Sequence, residues 1–140
     1  MCSPMARAVF VHKSHEPVAQ TLTSPDMLGT LPHILRTQEP GEWQFHGPDG
    51  LVASVQVTAP VMRVTTYELA VGAVCAGLGA AVLATSVMAP MAAAGEVMPL
   101  LPDWRIAPIP VSLVVPLTRL RRAEVSAVAH YIVDRLQDAR

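Results

Sequence analysis

A long stretch without charged residues constrains the fold of this chain more than any other feature. No Asp, Glu, Lys or Arg occurs between Glu68 and Glu96, and the run is longer than the roughly 20 residues that span a bilayer. One interpretation is therefore a membrane helix. Much of the run is Ala and Gly, however, which favour insertion only weakly, and Gly77, Pro90 and Gly95 divide it at intervals typical of soluble elements. The sequence favours a buried helix, strand and helix within a globular domain.

Local signals mark the start and the end of the first of these helices. Thr65 and Glu68 have the spacing of a capping box, in which the hydroxyl accepts a hydrogen bond from the amide three residues on and the carboxylate reaches back. The helix is therefore predicted to begin near Thr66. It is predicted to end near Gly77, because glycine adopts the left-handed conformation that closes a helix without a Cβ clash.

Apolar runs and turn residues predict the remaining elements. Residues 80–84 are typical of a strand covered on both faces, and Thr85 or Ser86 is expected to cap a second helix that ends at Gly95. Further strands are predicted at residues 9–11, 33–35, 97–101 and, as a buried strand, 111–115, and a hairpin is predicted with arms 42–45 and 51–57. A short helix is predicted from Ser24 to Gly29. A last helix is predicted at 123–137, with an apolar stripe of Val125, Val128, Ile132 and Leu136. Strands separated by helical segments predict a mixed α/β sheet flanked by helices.

The composition bounds the class of protein. At 140 residues the chain suits one domain, and its net charge of -1 and charged fraction of 15% do not provide the basic face of a nucleic-acid-binding module. Two cysteines, Cys2 and Cys75, do not make a disulfide framework, which fits a reducing compartment. The first residues lack the charged start and the long apolar segment of a secretory signal. We therefore expect a cytoplasmic protein without a membrane partner.

Several segments, taken in order, resemble the effector-binding domain of LysR-type transcriptional regulators. They are HIL at residues 33–35, GEWQFHGPDG at 41–50, AGLGA at 76–80 and MPLLPDW at 98–104. None of these motifs is specific by itself, but their order and spacing together are. The similarity runs from about residue 7 to residue 136, which is nearly the whole chain.

The resemblance implies a fold and a division of the chain. In that family the effector domain is similar to a type 2 periplasmic binding protein, in which two α/β lobes hold a small-molecule effector between them. A winged helix-turn-helix and a linker helix precede it. Residues 1–110 would then form the second lobe, and residues 111–140 the return strand and the C-terminal helix that pack on the first lobe. The missing parts imply a truncated gene or a fragment, which would not bind DNA directly. Its last helix would expose an apolar stripe that favours self-association.

The same resemblance implies three places for this lobe's share of the effector site. The first is the turn at Thr65 and Thr66, where free amides and the positive helix end favour an anionic group such as a carboxylate. The second is Arg36 with Thr37. The third is Ser14, in the polar segment after the first strand, since the ends of parallel strands often carry ligand contacts. Each residue also has a plain structural explanation as a helix cap, a surface charge or a loop residue.

Other kinds of chemistry have weaker support in the sequence. His12 and His15 have the spacing of two metal ligands, but no third ligand is identifiable. Ser14 beside His15 lacks the strained elbow of a nucleophile. Gly77-Leu78-Gly79 lacks the third glycine of a dinucleotide loop, and residues 119–122 are the only concentrated basic cluster. We therefore expect no enzyme, no cofactor and no metal site.

Two other classes of function stay open at this level. One is a solute-binding lobe of a transport system, and the other is a small membrane protein. The reading frame upstream of Met1 discriminates the regulator from the transport protein, because a helix-turn-helix there supports a regulator and a signal peptide supports transport. A membrane protein would pellet with membranes and need detergent.

Overall fold

The structure is a computed structural model that describes residues 2–116, 118 and 122–138, with the backbone alone for residues 2 and 3. The chain separates into two compact units. One consists of Ala6–Ala107, and the other combines Met1–Met5 with Pro108–Arg140.

The described part of the chain alternates short strands with helices. The strands are β1 (Cys2–Met5), β2 (Arg7–His12), β3 (Ile34–Arg36), β4 (Glu42–His46), β5 (Val52–Gln56), β6 (Met62–Val64), β7 (Ala81–Ala84), β8 (Val97–Pro99), β9 (Arg105–Ile106) and β10 (Ile109–Ser112). The helices are α1 (Glu16–Ala19), α2 (Tyr67–Cys75), α3 (Thr85–Ala93) and α4 (Ala123–Asp138), with 3-10 segments at Lys13–His15, Pro25–Thr30 and Pro48–Gly50. The predicted mixed α/β class is confirmed.

The uncharged run forms α2, β7 and α3, as the sequence predicts. β7 is buried along its whole length. Gly77 follows α2 with a φ of 79°, and Gly95 follows α3 with a φ of 74°, so both helices end at glycines in the left-handed region. Among the described residues, no helix has both the length and the apolar character that crossing a membrane requires.

The centre of the larger unit is a set of strands buried on both faces. β2 lies between β7 and β8, and β3 pairs in parallel with β6. A bridge between His33 and Ala80 places β3 beside the start of β7. Alternate side chains enter two cores: Phe10, Ile34 and Leu83 pack with α2 and α3 on one face, whereas Val9, Leu35 and Val82 pack with Trp43 and Phe45 of the hairpin on the other. Burial on both faces explains why these strands read as continuous apolar runs.

The predicted hairpin is confirmed as β4 and β5, with β9 on the outer side of β4. Asp49 and Gly50 both have positive φ values, 58° and 74°, as its tight turn requires. Trp104 packs directly over Gly47, because a Cβ there would lie 2.6 Å from its ring. The hairpin therefore covers the core that contains Val9, Leu35 and Val82, and Trp104 packs against its turn.

Three details predicted for the larger unit are wrong. The hydroxyl that caps α2 belongs to Thr66 and not to Thr65. The residue at the N-cap of α3 is Ala84, without a side-chain cap, since the Thr85 hydroxyl donates a hydrogen bond to the Ala6 carbonyl at 3.3 Å. In addition, β2 is antiparallel to both of its neighbours, because pairing between distant segments, and not local sequence, sets strand direction.

The smaller unit contains β1, β10 and α4. β10 is antiparallel to β1 and occupies Ile109–Ser112, not residues 111–115, with alternate half-buried and exposed side chains. It is not a buried strand, because β1 is its one partner in the sheet. The last helix is confirmed, but none of its residues is buried. Of the basic cluster at residues 119–122, only Arg122 belongs to the part of the chain that the structure describes.

Candidate functional site

The parallel pair β3 and β6 brings together two of the three predicted site segments. Both strands end at the same edge, where β3 continues into Thr37 and β6 into Thr65 and Thr66. The backbone N–H of Thr37 donates to the Val64 carbonyl at 2.8 Å, and the Thr37 hydroxyl donates to the same oxygen at 3.1 Å. This edge is where α/β sheets commonly place ligand contacts. We call it the β3/β6 edge.

The start of α2 supplies hydrogen-bond donors to this edge. The Thr66 hydroxyl accepts from the N–H of Leu69 at 3.3 Å, which satisfies one donor of the first turn. The N–H groups of Tyr67 and Glu68 have no acceptor within the helix, because the first turn of any α-helix lacks them. Thr65 and Thr66 are both exposed. A ligand at the β3/β6 edge can therefore reach the positive end of α2.

Arg36 is held at the edge by an aromatic ring and a carboxylate. Its guanidinium lies over the ring of Tyr67, 5.4 Å from the centroid. Glu39 accepts a hydrogen bond from the backbone N–H of Arg36 at 3.3 Å, and its Oε2 lies 3.6 Å from the Arg36 Nε. That Nε is buried and has no hydrogen-bond partner. The Arg36 side chain is 33% exposed and that of Glu39 is 10% exposed, so the pair is partly shielded from water.

A second arginine belongs to the same electrostatic cluster. Arg7 on β2 donates from Nε and Nη2 to the Ala107 carbonyl, at 3.1 and 2.7 Å. Burial lowers the pKa of Arg7, and the neighbouring Arg36 lowers it further, whereas the negative charge of Glu39 acts in the opposite direction. Tyr67 lies close to both arginines, because its hydroxyl accepts from the N–H of Ala84 at 2.6 Å and Ala84 is the strand partner of Arg7.

Ser14, the third predicted place, lies near the other end of α2. Its hydroxyl is 2.9 Å from His12 Nδ1, and a Cβ on Gly77, which follows α2, would lie 3.2 Å from it. His15 donates to the Gly77 carbonyl at 2.9 Å. A nine-residue helix is about 14 Å long at 1.5 Å per residue, which separates Ser14 from Thr66. The structure therefore brings together Arg36, Thr37, Thr65 and Thr66, but not Ser14.

Sequence reasoning missed Arg7, Glu39 and Tyr67. Arg7 precedes an apolar strand and Glu39 lies in a loop, so neither belongs to a motif. Only the folded chain places their side chains beside Arg36. Among the described residues, no group of three or more His, Cys, Asp and Glu side chains is arranged to hold a metal ion.

Comparisons with known proteins identify the family. The family model described as the LysR substrate binding domain matches residues 5–137. No curated protein matches the chain. Several solved structures are similar, and we give three.

The regulatory domain of AphB from Vibrio vulnificus has a TM-score of 0.75 and 15% identity, over 96% of this chain and 66% of that one. CrgA from Neisseria meningitidis, a LysR-type transcriptional regulator, has a TM-score of 0.72 and 17% identity, over 96% of this chain and 46% of that one. Full-length AphB from Vibrio cholerae, a virulence activator, has a TM-score of 0.67 and 13% identity, over 76% and 36%.

At these identities the solved structures show the fold alone, and the chain spans between 36% and 66% of their length. The fold is mixed α/β and similar to a type 2 periplasmic binding protein. The match over residues 5–137 means that this chain belongs to the LysR substrate-binding domain family.

Proposed function

We propose that the chain is an effector-binding module of a LysR-type transcriptional regulator and that it binds a small carboxylate-bearing molecule at the β3/β6 edge. Membership of the family supports the module. The convergence of Arg36, Thr37, Thr65 and Thr66 where two parallel strands end supports the place. In a regulator, the first lobe would form the opposite wall of the cleft.

The chemistry of the edge suits a carboxylate. Its oxygens would accept hydrogen bonds from the free amides of the first turn of α2, where the helix dipole favours negative charge. The Arg36 guanidinium, on a side chain that is 33% exposed, is a further donor, and charge-assisted hydrogen bonds to guanidinium are stronger than neutral ones. The exposed hydroxyl of Thr65 is a donor that the ligand can use. A neutral ligand would gain little from this arrangement.

Binding would control transcription through the whole regulator. An effector that binds the closed arrangement of two lobes more tightly than the open one shifts the population toward closure. In an oligomer, closure would change the spacing of the DNA-binding domains, which couples effector and operator affinity. The module alone should not bind operator DNA. A tight, sequence-specific mobility shift with the purified 140-residue chain would contradict this assignment.

The place of binding can be tested by NMR titration of the 15N-labelled chain with small carboxylates, with the corresponding primary amides as uncharged controls. We expect the carboxylates to shift the amide signals of Arg36, Thr37 and residues 66–69. Arg36→Gln should weaken binding by about tenfold, since it removes a charge-assisted donor. Arg63→Gln is the matched control, because Arg63 is an exposed arginine on β6 and should change affinity little. Shifts confined to the surroundings of Ser14 and Gly77 would place the site at the other end of α2.

A further inference from the structure

The β3/β6 edge already contains one carboxylate of its own. Glu39 lies against Arg36, accepts the Arg36 backbone N–H and keeps only 10% of its side chain exposed. A carboxylate this shielded is screened weakly by water, so its charge acts strongly on neighbouring groups. Any effector anion that approaches Arg36 therefore meets a negative charge that the protein itself provides.

Two arginines interact electrostatically with that carboxylate, Arg36 in direct contact and Arg7 through its charge. Arg36 lies over Tyr67, and Arg7 lies on the strand next to Ala84, whose N–H donates to the Tyr67 hydroxyl. Tyr67 thus contacts Arg36 through its ring and the strand partner of Arg7 through its hydroxyl. Two N–H groups of Arg7 donate to the Ala107 carbonyl. These hydrogen bonds hold the guanidinium in place, but a neutral carbonyl does not cancel its charge.

Two other charged residues near the edge contribute less. Glu68 on the first turn of α2 and Arg63 on β6 are both exposed, so water and salt screen them. Among the residues that the structure describes near the edge, the partly buried charges are then two positive and one negative, which leaves one positive charge without a counterion in that group.

We propose that Arg7, Arg36 and Glu39 set the charge of the effector: one unbalanced positive charge beside Tyr67 selects a singly charged anion, a monocarboxylate, over a dicarboxylate. The inference rests on the proposed function, because it concerns the same site. Glu39 is the specificity-determining residue, since its carboxylate occupies the position that a second anionic group would need. Arg7 acts on specificity through its charge.

Glu39→Gln tests the proposal. The 15N-labelled chain is titrated with acetate and with malonate near neutral pH, and the ratio of the two dissociation constants is measured from the amide shifts of residues 66–69. Removing the internal carboxylate leaves two unbalanced positive charges, so malonate binding should tighten relative to acetate binding by about tenfold. Glu96→Gln is the control for net charge, because Glu96 is exposed and lies after α3; it should leave the ratio unchanged.

Arg7 provides a second, opposite test. Arg7→Gln should weaken malonate more than acetate, whereas Arg7→Lys, which keeps the charge, should retain the wild-type ratio. Thermal unfolding of each variant shows whether it is folded. If acetate and malonate bind at the edge but Glu39→Gln leaves the ratio unchanged, the charge selection is wrong and the proposed carboxylate site stands. If neither anion shifts residues 66–69 in any variant, the carboxylate site fails as well.

Discussion

At the scale of single residues, His33 places an ionisable ring against the indole of Trp43 inside the larger unit. The two ring centroids are 5.2 Å apart and the planes meet at 75°. His33 Nε2 and Trp43 Nε1 are both buried without a hydrogen-bond partner. Burial lowers the pKa of His33, and a hydrogen bond to the Leu28 backbone opposes this only in part. The folded chain therefore prefers the neutral imidazole.

This preference predicts that the chain loses stability as the solution becomes acidic. An unfolded histidine titrates near pH 6.5, whereas the folded His33 has a lower pKa, so the unfolded state binds more protons in between. The contribution is fully present above about pH 6.5 and is lost as the pH falls from there toward the folded pKa. Urea unfolding across this range should show a falling midpoint.

His33→Gln should flatten that dependence, because glutamine does not titrate. His46→Gln, at an exposed histidine of the hairpin, should leave the slope as it is in the wild type. An equal slope in the His33→Gln variant and in the wild type would contradict the assignment to His33.

At the scale of elements, the first turn of α2 has one capping hydroxyl. Thr66→Ala should destabilise the chain by about 1 kcal/mol, as the loss of an N-cap usually does. Thr65→Ala should cost little, because the Leu69 N–H bonds to the Thr66 hydroxyl. Chemical denaturation of the two variants gives the comparison. A larger loss for Thr65→Ala would support the capping box that the sequence suggests.

Two glycines in or next to α2 are predicted to respond in opposite ways to alanine. At Gly79 a Cβ would lie 2.7 Å from the carbonyl oxygen of Pro32, so the backbone itself would have to shift. Gly79→Ala should therefore destabilise by about 1–3 kcal/mol. At Gly72 a Cβ would meet nothing within 4 Å, so alanine within the helix should stabilise by about 0.5–1 kcal/mol. Thermal or urea unfolding of both variants measures the two effects. A Gly79→Ala variant as stable as the wild type would contradict the contact with Pro32, and a destabilised Gly72→Ala variant would contradict the open space at Gly72.

At the scale of the whole molecule, the smaller unit exposes apolar surface along α4. A groove of about 320 Å³ lies between α4 and the segment after β10, and its lining includes Leu113, Val115, Val125 and Ile132. On the helix, Val128 is 58% exposed and Tyr131 is 61% exposed. Contiguous apolar surface of this kind favours association.

We therefore predict that the chain self-associates through α4. Sedimentation velocity should show a mass that rises with protein concentration, and Val128→Glu should shift the population toward the monomer because it puts a charge into the apolar contact. Leu51→Glu, at a residue of the hairpin that is 55% exposed, is the control and should have little effect. A wild-type chain that stays monomeric at every concentration would contradict the prediction.

Local chemistry decided much of the fold. The uncharged run, together with Gly77 and Gly95, was enough to predict α2, β7 and α3, because helix ends and buried strands depend on residues close in sequence. The Pro48-Asp49-Gly50 turn predicted the hairpin for the same reason. The cap position was wrong by one residue, since two adjacent threonines carry the same local signal and only the folded chain shows which hydroxyl accepts from the Leu69 N–H.

The site depended on contacts between distant segments. The family resemblance pointed to Arg36, Thr37, Thr65, Thr66 and Ser14 as a proposed site. The parallel pairing of β3 and β6 brings the first four to one edge and leaves Ser14 apart. Arg7, Glu39 and Tyr67 carry no local signal, because their common position arises only when β2, the loop after β3 and α2 pack together. The direction of β2 and the exposure of β10 likewise depend on how distant segments pair. The sequence by itself determined α2, β7, α3 and the hairpin, whose signals are local. The tertiary structure decided which charges meet, because electrostatic partners are set by distance in space and not along the chain.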